Sequence, residues 1–381
     1  MKRIAFVVST PTTADAFLRG HIAALSSHYE VDLIANYPDG YQSSVSVNQK
    51  IHAPIHRSIN LWRDFLGLVS LIRIFSGTRY DAVHSVTPKA GLLAMLAARI
   101  TRVPVRHHTF TGQVWATRTG FSRWLLKGLD KVIHRCSTHS LVDSFSQRDF
   151  LLSEKVVKPE KSSVLASGSI SGVNTQRFKP DLEKRVSVRA QHGVSETDFV
   201  FMFMGRINDE KGVQELITAF RKISENHPDA KLMVVGPDES GMFEDGGIEK
   251  SFSGKLIRVG FTSEPEAYFN AADVFCLPSH REGFGSVLIE AAACGVTSVA
   301  SNIYGISDAV VDGQTGLLHE PKSAADLEAK MDLVISNQNL RQTLAQAALR
   351  RAREEFSSRV VENEFVEFYG KVFESSTEQG G

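Results

Sequence analysis

The chain has 381 residues, 43 Lys+Arg against 43 Asp+Glu and 42% apolar side chains; this balance excludes a general nucleic-acid binder, whose counterion-releasing footprint needs a Lys/Arg excess. At roughly 100–200 residues per domain the length predicts two domains, each able to bury a core without metals or disulfides. Three cysteines, Cys136, Cys276 and Cys294, with no C-x-x-C, exclude a disulfide framework and a cysteine-rich zinc site and fit a reducing compartment.

Met1, Lys2 and Arg3 precede only the apolar run 4–8, too short for the roughly 7–15-residue apolar region of a signal peptide. No uncharged apolar stretch approaches the roughly 18 residues of a membrane span. The expectation is a protein that begins at Met1 in the cytoplasm, with any membrane contact peripheral. Short β-branched runs at 4–9, 31–35, 82–86, 103–107, 140–142 and 163–166 alternate with helical periodicity at 14–26, 61–75, 91–100, 121–136 and 147–153. Such alternation predicts a doubly wound parallel α/β sheet. The pattern breaks at 174–194, where Pro180 and charge clusters suggest a linker. A second α/β half follows, with strands at 199–205, 232–236, 256–260, 274–277, 298–301 and 316–319 and helices at 212–226, 265–271, 286–293 and 324–336. Residues 340–374 read as one or two amphipathic helices and 375–381 as a frayed end.

The missing motifs narrow the chemistry. There is no G-x-x-x-x-G-K-[ST], G-x-S-x-G or H-E-x-x-H, so P-loop, serine-hydrolase and zincin readings lose their defining residues. No D-x-D pair exists to hold a divalent cation against a diphosphate. His52 and His56 bracket Pro54, which rules against a shared helical metal face. No metal site is expected.

Two segments carry the chemistry. Gly205-Arg206-Ile207-Asn208-Asp209-Glu210-Lys211-Gly212 follows an apolar strand and opens a helix. Arg206 offers a planar fork for phosphate oxygens, Lys211 a mobile charge, and the helix start adds N–H groups and its dipole. The competing reading is a solvated loop in which these cations pair with Asp209 and Glu210. The second segment, Pro278-Ser279-His280-Arg281-Glu282-Gly283-Phe284-Gly285-Ser286-Val287-Leu288-Ile289-Glu290, also links a strand to a helix. Gly283 and Gly285 allow close backbone approach to a ligand. Glu282 lies in the loop near where a sugar ring would sit, and Glu290 lies in the helix, where ribose hydroxyls could reach it; the alternative is two surface carboxylates.

Together these segments resemble glycosyltransferase family 4, the retaining sugar-nucleotide transferases of GT-B fold. The likeness rests on the E-x(7)-E from Glu282 to Glu290 and the G-R-x(4)-K-G from Gly205 to Gly212. It extends to Ala271-Ala272-Asp273-Val274 ahead of Pro278-Ser279, and to Asp312-Gly313-Gln314-Thr315-Gly316. Ser171-Gly172-Val173-Asn174 with Arg177-Phe178 is similar to the family's N-G-V-D and R-F at the domain junction. The resemblance implies two Rossmann-like domains facing a central cleft: an acceptor-binding domain over 1–173, a linker over 174–195, a nucleotide-sugar domain over 196–355, and a crossover helix and tail over 356–381. It also implies that Arg206 and Lys211 bind the donor diphosphate and stabilise the leaving nucleotide, and that Glu290 holds the ribose. Glu282 and the backbone from Gly283 through Phe284, Gly285, Ser286 and Val287 would position the sugar, and Phe261 would border the base. No metal or other cofactor is implied.

The first half departs from the family pattern. Ser9-Thr10-Pro11-Thr12-Thr13 replaces the usual glycine-rich turn, so Thr12 and Thr13 either contact the acceptor or cap a helix. In His107-His108-Thr109-Phe110-Thr111-Gly112-Gln113, Thr111 stands where the family's T-x-H-G has its histidine. That role is lost, moves to His108 as a catalytic group, or is taken by Gln113; a buried, hydrogen-bonded His108 is the competing reading. Over 121–136, Phe121, Leu125, Leu129, Val132 and Cys136 share one helical arc and Arg123, Lys127, Lys131 and Arg135 the opposite one. An anionic membrane surface or a solvated basic face would each suit this arrangement. The reading as a whole is a metal-independent retaining transferase moving a hexose or N-acetylhexosamine from a nucleotide diphosphate, UDP ahead of GDP, to a soluble or polyprenyl-linked glycan. The alternatives are an epimerase or phosphorylase of the same architecture and a catalytically silent subunit that recruits a partner enzyme.

Overall fold

The computed structural model describes residues 1–56 and 58–378 and divides into two compact units, 1–171 with 358–381 and 172–357. In unit 1, β1 (Arg3–Val7), β2 (Glu30–Ala35), β3 (Gln49–His52), β4 (Ala82–Val86), β5 (Val105–Phe110), β6 (His139–Val142) and β7 (Ser162–Ser163) form a parallel sheet in the order β3-β2-β1-β4-β5-β6-β7. Its helices are α1 (Pro11–Phe17), α2 (Arg19–Ser26), α3 (Leu61–Gly77), α4 (Pro88–Ile100), α5 (Gly120–Cys136) and α6 (Phe145–Ser153). Strand alternation decides which residues face which helix layer. Ala5 and Val7 of β1 join the core beneath α3, α4 and α5, while Ile4 and Phe6 join the opposite core with Ile22 and Leu25 of α2.

Unit 2 contains α7 (Leu182–Gln191), β8 (Phe199–Met204), α8 (Val213–Asn226), β9 (Ala230–Val235), α9 (Gly247–Ser251), β10 (Leu256–Val259) and α10 (Pro265–Ala271). It continues through β11 (Val274–Leu277), α11 (Ser286–Ala293), β12 (Thr297–Ser301), α12 (Ile306–Ala309), β13 (Gly316–His319), α13 (Ala324–Ser336) and α14 (Gln338–Glu354). The sheet order is β10-β9-β8-β11-β12-β13, all parallel. β8 reads Phe-Val-Phe-Met-Phe-Met, a continuous apolar run, because helices cover both of its faces.

The last helix, α15 (Ser358–Glu378), returns to unit 1. The Tyr369 hydroxyl lies 2.9 Å from His84 Nδ1, and His84 Nε2 lies 2.7 Å from Thr109 Oγ1, so a buried polar chain ties α15 to β4 and β5. Burial pushes the His84 pKa well below its ordinary value, which keeps the ring neutral. The helix continues past the expected frayed start at 375; residues 379–381 lie outside the described residues.

Three expectations are corrected. Residues 174–195 are not a free linker. α7 is clamped to unit 2 by Arg185 and Arg189, which lie 2.8 and 2.7 Å from the two carboxylate oxygens of Asp273, and Arg177 and Lys184 pair with Glu266 at 2.8 and 3.0 Å. The charge clusters that suggested a linker are therefore ion-paired, and the aspartate of the Ala271–Val274 motif holds α7 in place. The helix expected over 14–26 is two helices broken at Leu18, and the short edge strand β3 was not foreseen. α5 is rotated from its expected setting: Arg123 and Lys127 turn inward to share Glu154, and Arg123 also lies over the Trp115 ring at 5.1 Å.

Candidate functional site

Strand order locates a site in each sheet. A doubly wound sheet opens a crevice outside the carboxyl ends of two neighbouring strands whose connections run in opposite directions. In unit 2 these strands are β8 and β11, and both chemistry-bearing segments follow them directly.

The two loops are laced together. Lys211 Nζ lies 2.5 Å from Glu282 Oε1, which also accepts from Ser279 Oγ at 2.8 Å. The His280 backbone N–H donates to the Glu210 carbonyl at 2.8 Å, and the Arg281 guanidinium grips the Glu210 carboxylate. His280 Nε2 lies 2.8 Å from Glu215 Oε1 at the start of α8. Gly212, at φ 65°, is where the loops press closest: a Cβ there would lie 2.1 Å from the Pro278 carbonyl oxygen. The solvated-loop reading is corrected, because Lys211 pairs across the crevice with Glu282, and Arg206 pairs with Glu239 at 3.1 Å instead of with its own loop. Glu239, which also accepts from Asn208 Nδ2 at 3.1 Å, follows β9 and was missed because no spacing rule connects it to Arg206.

α11 starts at Ser286 behind Gly285, whose φ of 77° brings no side chain to cap the helix. Its first N–H groups therefore have no side-chain cap. The Phe284 side chain is buried against Phe356 with ring centroids 5.3 Å apart. That leaves its backbone, the part expected to position the sugar, for a ligand. Val287 is half-buried and packs on the core. One turn into α11, the half-buried Glu290 carboxyl has no hydrogen-bond or ion-pair partner among the described residues. Desolvation raises its pKa to about 7; Arg177 opposes this and Glu266 adds to it. Phe261, in the loop after β10, is 82% exposed and makes no core contact that would explain an aromatic there.

In unit 1 the corresponding crevice lies between β1 and β4. Ser9 Oγ at the end of β1 and Thr87 Oγ1 after β4 are 3.2 Å apart. Thr87 has φ 76° and ψ 142°, a conformation costly for a β-branched residue and found where function holds strain. Sequence reasoning missed it, since nothing in a T-P-K tripeptide signals positive φ. Thr12 is exposed and Thr13 buried, and their hydroxyls lie 2.9 and 3.3 Å from Thr10 Oγ1.

His108 is corrected. It is 1% exposed, with Nδ1 2.9 Å from Ser85 Oγ and its ring pressed on Gly91, where a Cβ would lie 2.4 Å from the imidazole. Burial lowers its pKa to about 3, so it is a neutral core residue that no substrate reaches. Gln113 is likewise committed, its amide nitrogen donating to the Thr111 carbonyl at 2.6 Å and its oxygen accepting from Gln147 at 2.9 Å. Of the three, only the half-buried Thr111 keeps a side chain with no partner among the described residues. No group of three or more His, Cys, Asp or Glu able to hold a metal occurs among the described residues.

Comparison with known proteins agrees with this geometry. Residues 13–168 match the glycosyl transferase 4-like domain, and residues 185–351 match glycosyl transferases group 1. The chain is 30% identical to the capsular polysaccharide biosynthesis glycosyltransferase CapM of Staphylococcus aureus, over 97% of this chain and 98% of that one. It is 28% identical, over 69% and 68% of the two chains, to the UDP-Gal:alpha-D-GlcNAc-diphosphoundecaprenol alpha-1,3-galactosyltransferase of Escherichia coli. Anabaena HepE, solved in complex with UDP, superposes with a TM-score of 0.80 at 19% identity, over 97% of this chain and 100% of that one. With two Rossmann-like units of GT-B type and matches along both, the chain belongs to the family 4 type glycosyltransferases.

Proposed function

We propose that this glycosyltransferase moves a hexose or N-acetylhexosamine from a UDP-sugar, with retention at the anomeric carbon, to a polyprenyl-diphosphate-linked saccharide during assembly of a bacterial surface polysaccharide. The observation that carries the donor half is the pair of loops that follow β8 and β11, with Lys211 paired across to Glu282, Arg206 exposed beside Glu239, an uncapped start of α11 and the unpartnered Glu290 a turn beyond. The acceptor half is supported by the names of the capsular and diphosphoundecaprenol relatives.

In this reading Arg206 and Lys211 take the diphosphate oxygens and balance the charge that builds on the leaving nucleotide, work that needs no metal. Glu282, held by Lys211 and Ser279, positions the sugar beside the Gly283 to Ser286 backbone, with Gly205 leaving room for the diphosphate. Glu290 accepts the ribose hydroxyls, and Phe261 stacks on the base. On the acceptor side, Thr12, Thr13 and Thr111 offer hydroxyls, joined by Ser9 and Thr87. No helix among the described residues is long and apolar enough to cross a membrane, so a lipid-linked acceptor would be met by a protein peripheral to the inner face of the cytoplasmic membrane.

A thermal-shift series in EDTA tests the donor assignment. A ligand that binds only the folded state stabilises by RT ln(1 + [L]/Kd), about 2.7 kcal/mol at a hundredfold excess over Kd. UDP and UDP-sugars are expected to raise Tm above GDP and ADP, and equal shifts for all would remove the uridine assignment. Turnover of the chosen UDP-sugar by the isolated protein then separates an enzyme from a silent binding subunit.

Glu290 adds a pH signature. Its folded pKa is raised from 4.5 to about 7, so its contribution to stability is fully present below pH 4.5 and is lost as pH rises through about 7. Ribose hydroxyls donate better to the ionised form. UDP affinity is therefore expected to rise as pH passes through about 7, and Glu290→Gln to flatten that rise. The same slope in the variant would release Glu290 from the ribose role.

A further inference from the structure

β10 reads Leu-Ile-Arg-Val, one cation in an edge strand whose other residues pack on the core of unit 2. The Arg258 side chain does not turn out to water. Half-buried, it spends its fork on backbone carbonyls: Nη1 donates to Val234 at 3.1 Å and to Val259, and Nη2 donates to Gly236 at 2.7 Å. Its guanidinium carbon lies 5.1 Å from the centre of the buried Phe243 ring. No carboxylate pairs with it among the described residues. Burial lowers its pKa, and the charges of Asp238 and Glu249 oppose that from beyond bonding distance. Taking a guanidinium part-way out of water without an ion pair is costly, which points to a use for the carbonyls it holds.

Those carbonyls stand where strands end. Gly236 follows β9 at φ 131°, and its N–H donates to the Val259 and Gly260 carbonyls at 3.0 and 3.1 Å. A Cβ there would lie 2.0 Å from the Gly205 carbonyl oxygen, so Gly236 touches both Gly205 after β8 and Gly260 after β10. The chain leaves Gly236 as Pro237-Asp238-Glu239. The Ile207 N–H donates to the Pro237 carbonyl at 2.8 Å and the Glu239 N–H to the Ile207 carbonyl at 2.9 Å, which sets Glu239 beside Arg206. Asp238 folds the loop back by accepting from the Gly241 and Phe243 N–H groups at 3.0 and 2.9 Å, and this brings Phe243 against Arg258. On the other side the chain leaves Gly260 directly as Phe261. One guanidinium thereby grips the beginning and the end of the Glu239 loop and the strand end from which Phe261 springs.

We propose that Arg258 is a positioning residue for nucleobase selection: by pinning Gly236 and Val259 it holds still the backbone edge at Gly260 and Phe261 against which the base of the donor is read. The inference rests on the reading that places the base at Phe261. An aromatic ring stacks on any base, since every base offers a π-face, so Phe261 alone supplies affinity and no choice. Choice needs polar groups fixed in direction, because a base that does not match them leaves them unpaired, whereas a mobile edge turns to suit each base. Strand order assigns Arg258 to the base and not to the diphosphate. Its contacts are on β9 and β10, while Lys211 and Glu282 stand on the loops after β8 and β11.

The test is calorimetric titration of the full chain with UDP, GDP, ADP and inorganic pyrophosphate, each variant being held below its own melting temperature. Arg258→Met should lower the preference for UDP over GDP and ADP about ten-fold, the size of one lost charge-assisted hydrogen bond, and leave pyrophosphate affinity unchanged. Arg258→Lys keeps the charge without the fork, so it should fall between, and it carries the test if the Met variant does not fold. Arg221→Met is the matched control: Arg221 lies over the Phe252 ring at 4.7 Å and bonds to Ser251 at 3.2 Å, with no hydrogen bond to a strand-end carbonyl. A purely supporting role would lower the bound fraction for all four ligands together, and the ratio between them separates the two. An unchanged ratio in both Arg258 variants, or an equal loss in Arg221→Met, would overturn the proposal while the wild-type preference for UDP left the donor reading standing. A wild type that binds UDP no better than pyrophosphate would overturn the donor reading and this inference with it.

Discussion

Replacing Lys211 by Ala is expected to lower kcat by about 10²–10³, and replacing Arg206 by Ala to lower it by about 10², the cost of losing a preorganised donor aimed at charge that develops in the transition state. The order follows from geometry. The Lys211 side chain is 20% exposed and held 2.5 Å from Glu282, whereas the Arg206 side chain is 62% exposed and loosely paired with Glu239. Charge in the more enclosed position is less screened by solvent and keeps more of its field at the diphosphate. Deleting Lys211 also leaves the Glu282 carboxylate facing the leaving nucleotide with its charge unbalanced. A double-mutant cycle reads this directly: Glu282→Gln should restore part of kcat in the Lys211→Ala background, though it costs activity alone. Because these interactions strengthen as the bond breaks, kcat and kcat/KM should fall together. Near-wild-type kcat in both single variants would dismiss the phosphate-clamp assignment.

Gly212→Ala should be among the most damaging single-methyl changes in unit 2. It combines left-handed strain with a Cβ 2.1 Å from the Pro278 carbonyl oxygen and 2.9 Å from its carbon, both backbone atoms with little room to retreat. A loss of roughly 2–4 kcal/mol and a Tm lower by about 10 °C are expected. Activity should fall further than stability accounts for, since pushing the Pro278 loop away separates Lys211 from Glu282. Gly246→Ala is the matched control, with φ 62° and nothing within 4 Å of its Cβ. It carries the strain without the collision and should cost about 1 kcal/mol. Equal melting of the two variants would show that close approach of the loops contributes nothing.

The elements legible in the sequence are those whose own residues determine them. β11, α10, α11, α13 and β13 occupy their expected limits because an apolar run or helical period is bracketed by its own turn residues. α7 was not legible, because Arg185 and Arg189 look solvated until Asp273, more than eighty residues later in the chain, is placed beside them. The candidate site was legible as two motifs but not as a wired unit: Glu282 is present in the pattern, whereas the Arg281–Glu210 clasp and Glu239 depend on which loops the sheet order makes adjacent. His108 shows the opposite error. Histidines near a strand end invite a catalytic reading, and only the contacts of Ser85 and Gly91 reveal a ring used for packing.

The return of α15 to unit 1 bears on how the protein is made. Unit 2 is one continuous stretch, 172–357, lying in the chain between the two segments of unit 1, so α15 is synthesised after it. Until Phe365, Tyr369 and Phe373 arrive, the face of unit 1 formed by Phe6, Ile22 and Tyr29 stays uncovered and the His84 ring has Thr109 but lacks the Tyr369 hydroxyl. Unit 2 can therefore fold while unit 1 still waits for α15. Unit 1 is thus finished only after unit 2, and during that interval its open aromatic face is the surface a chaperone would have reason to hold.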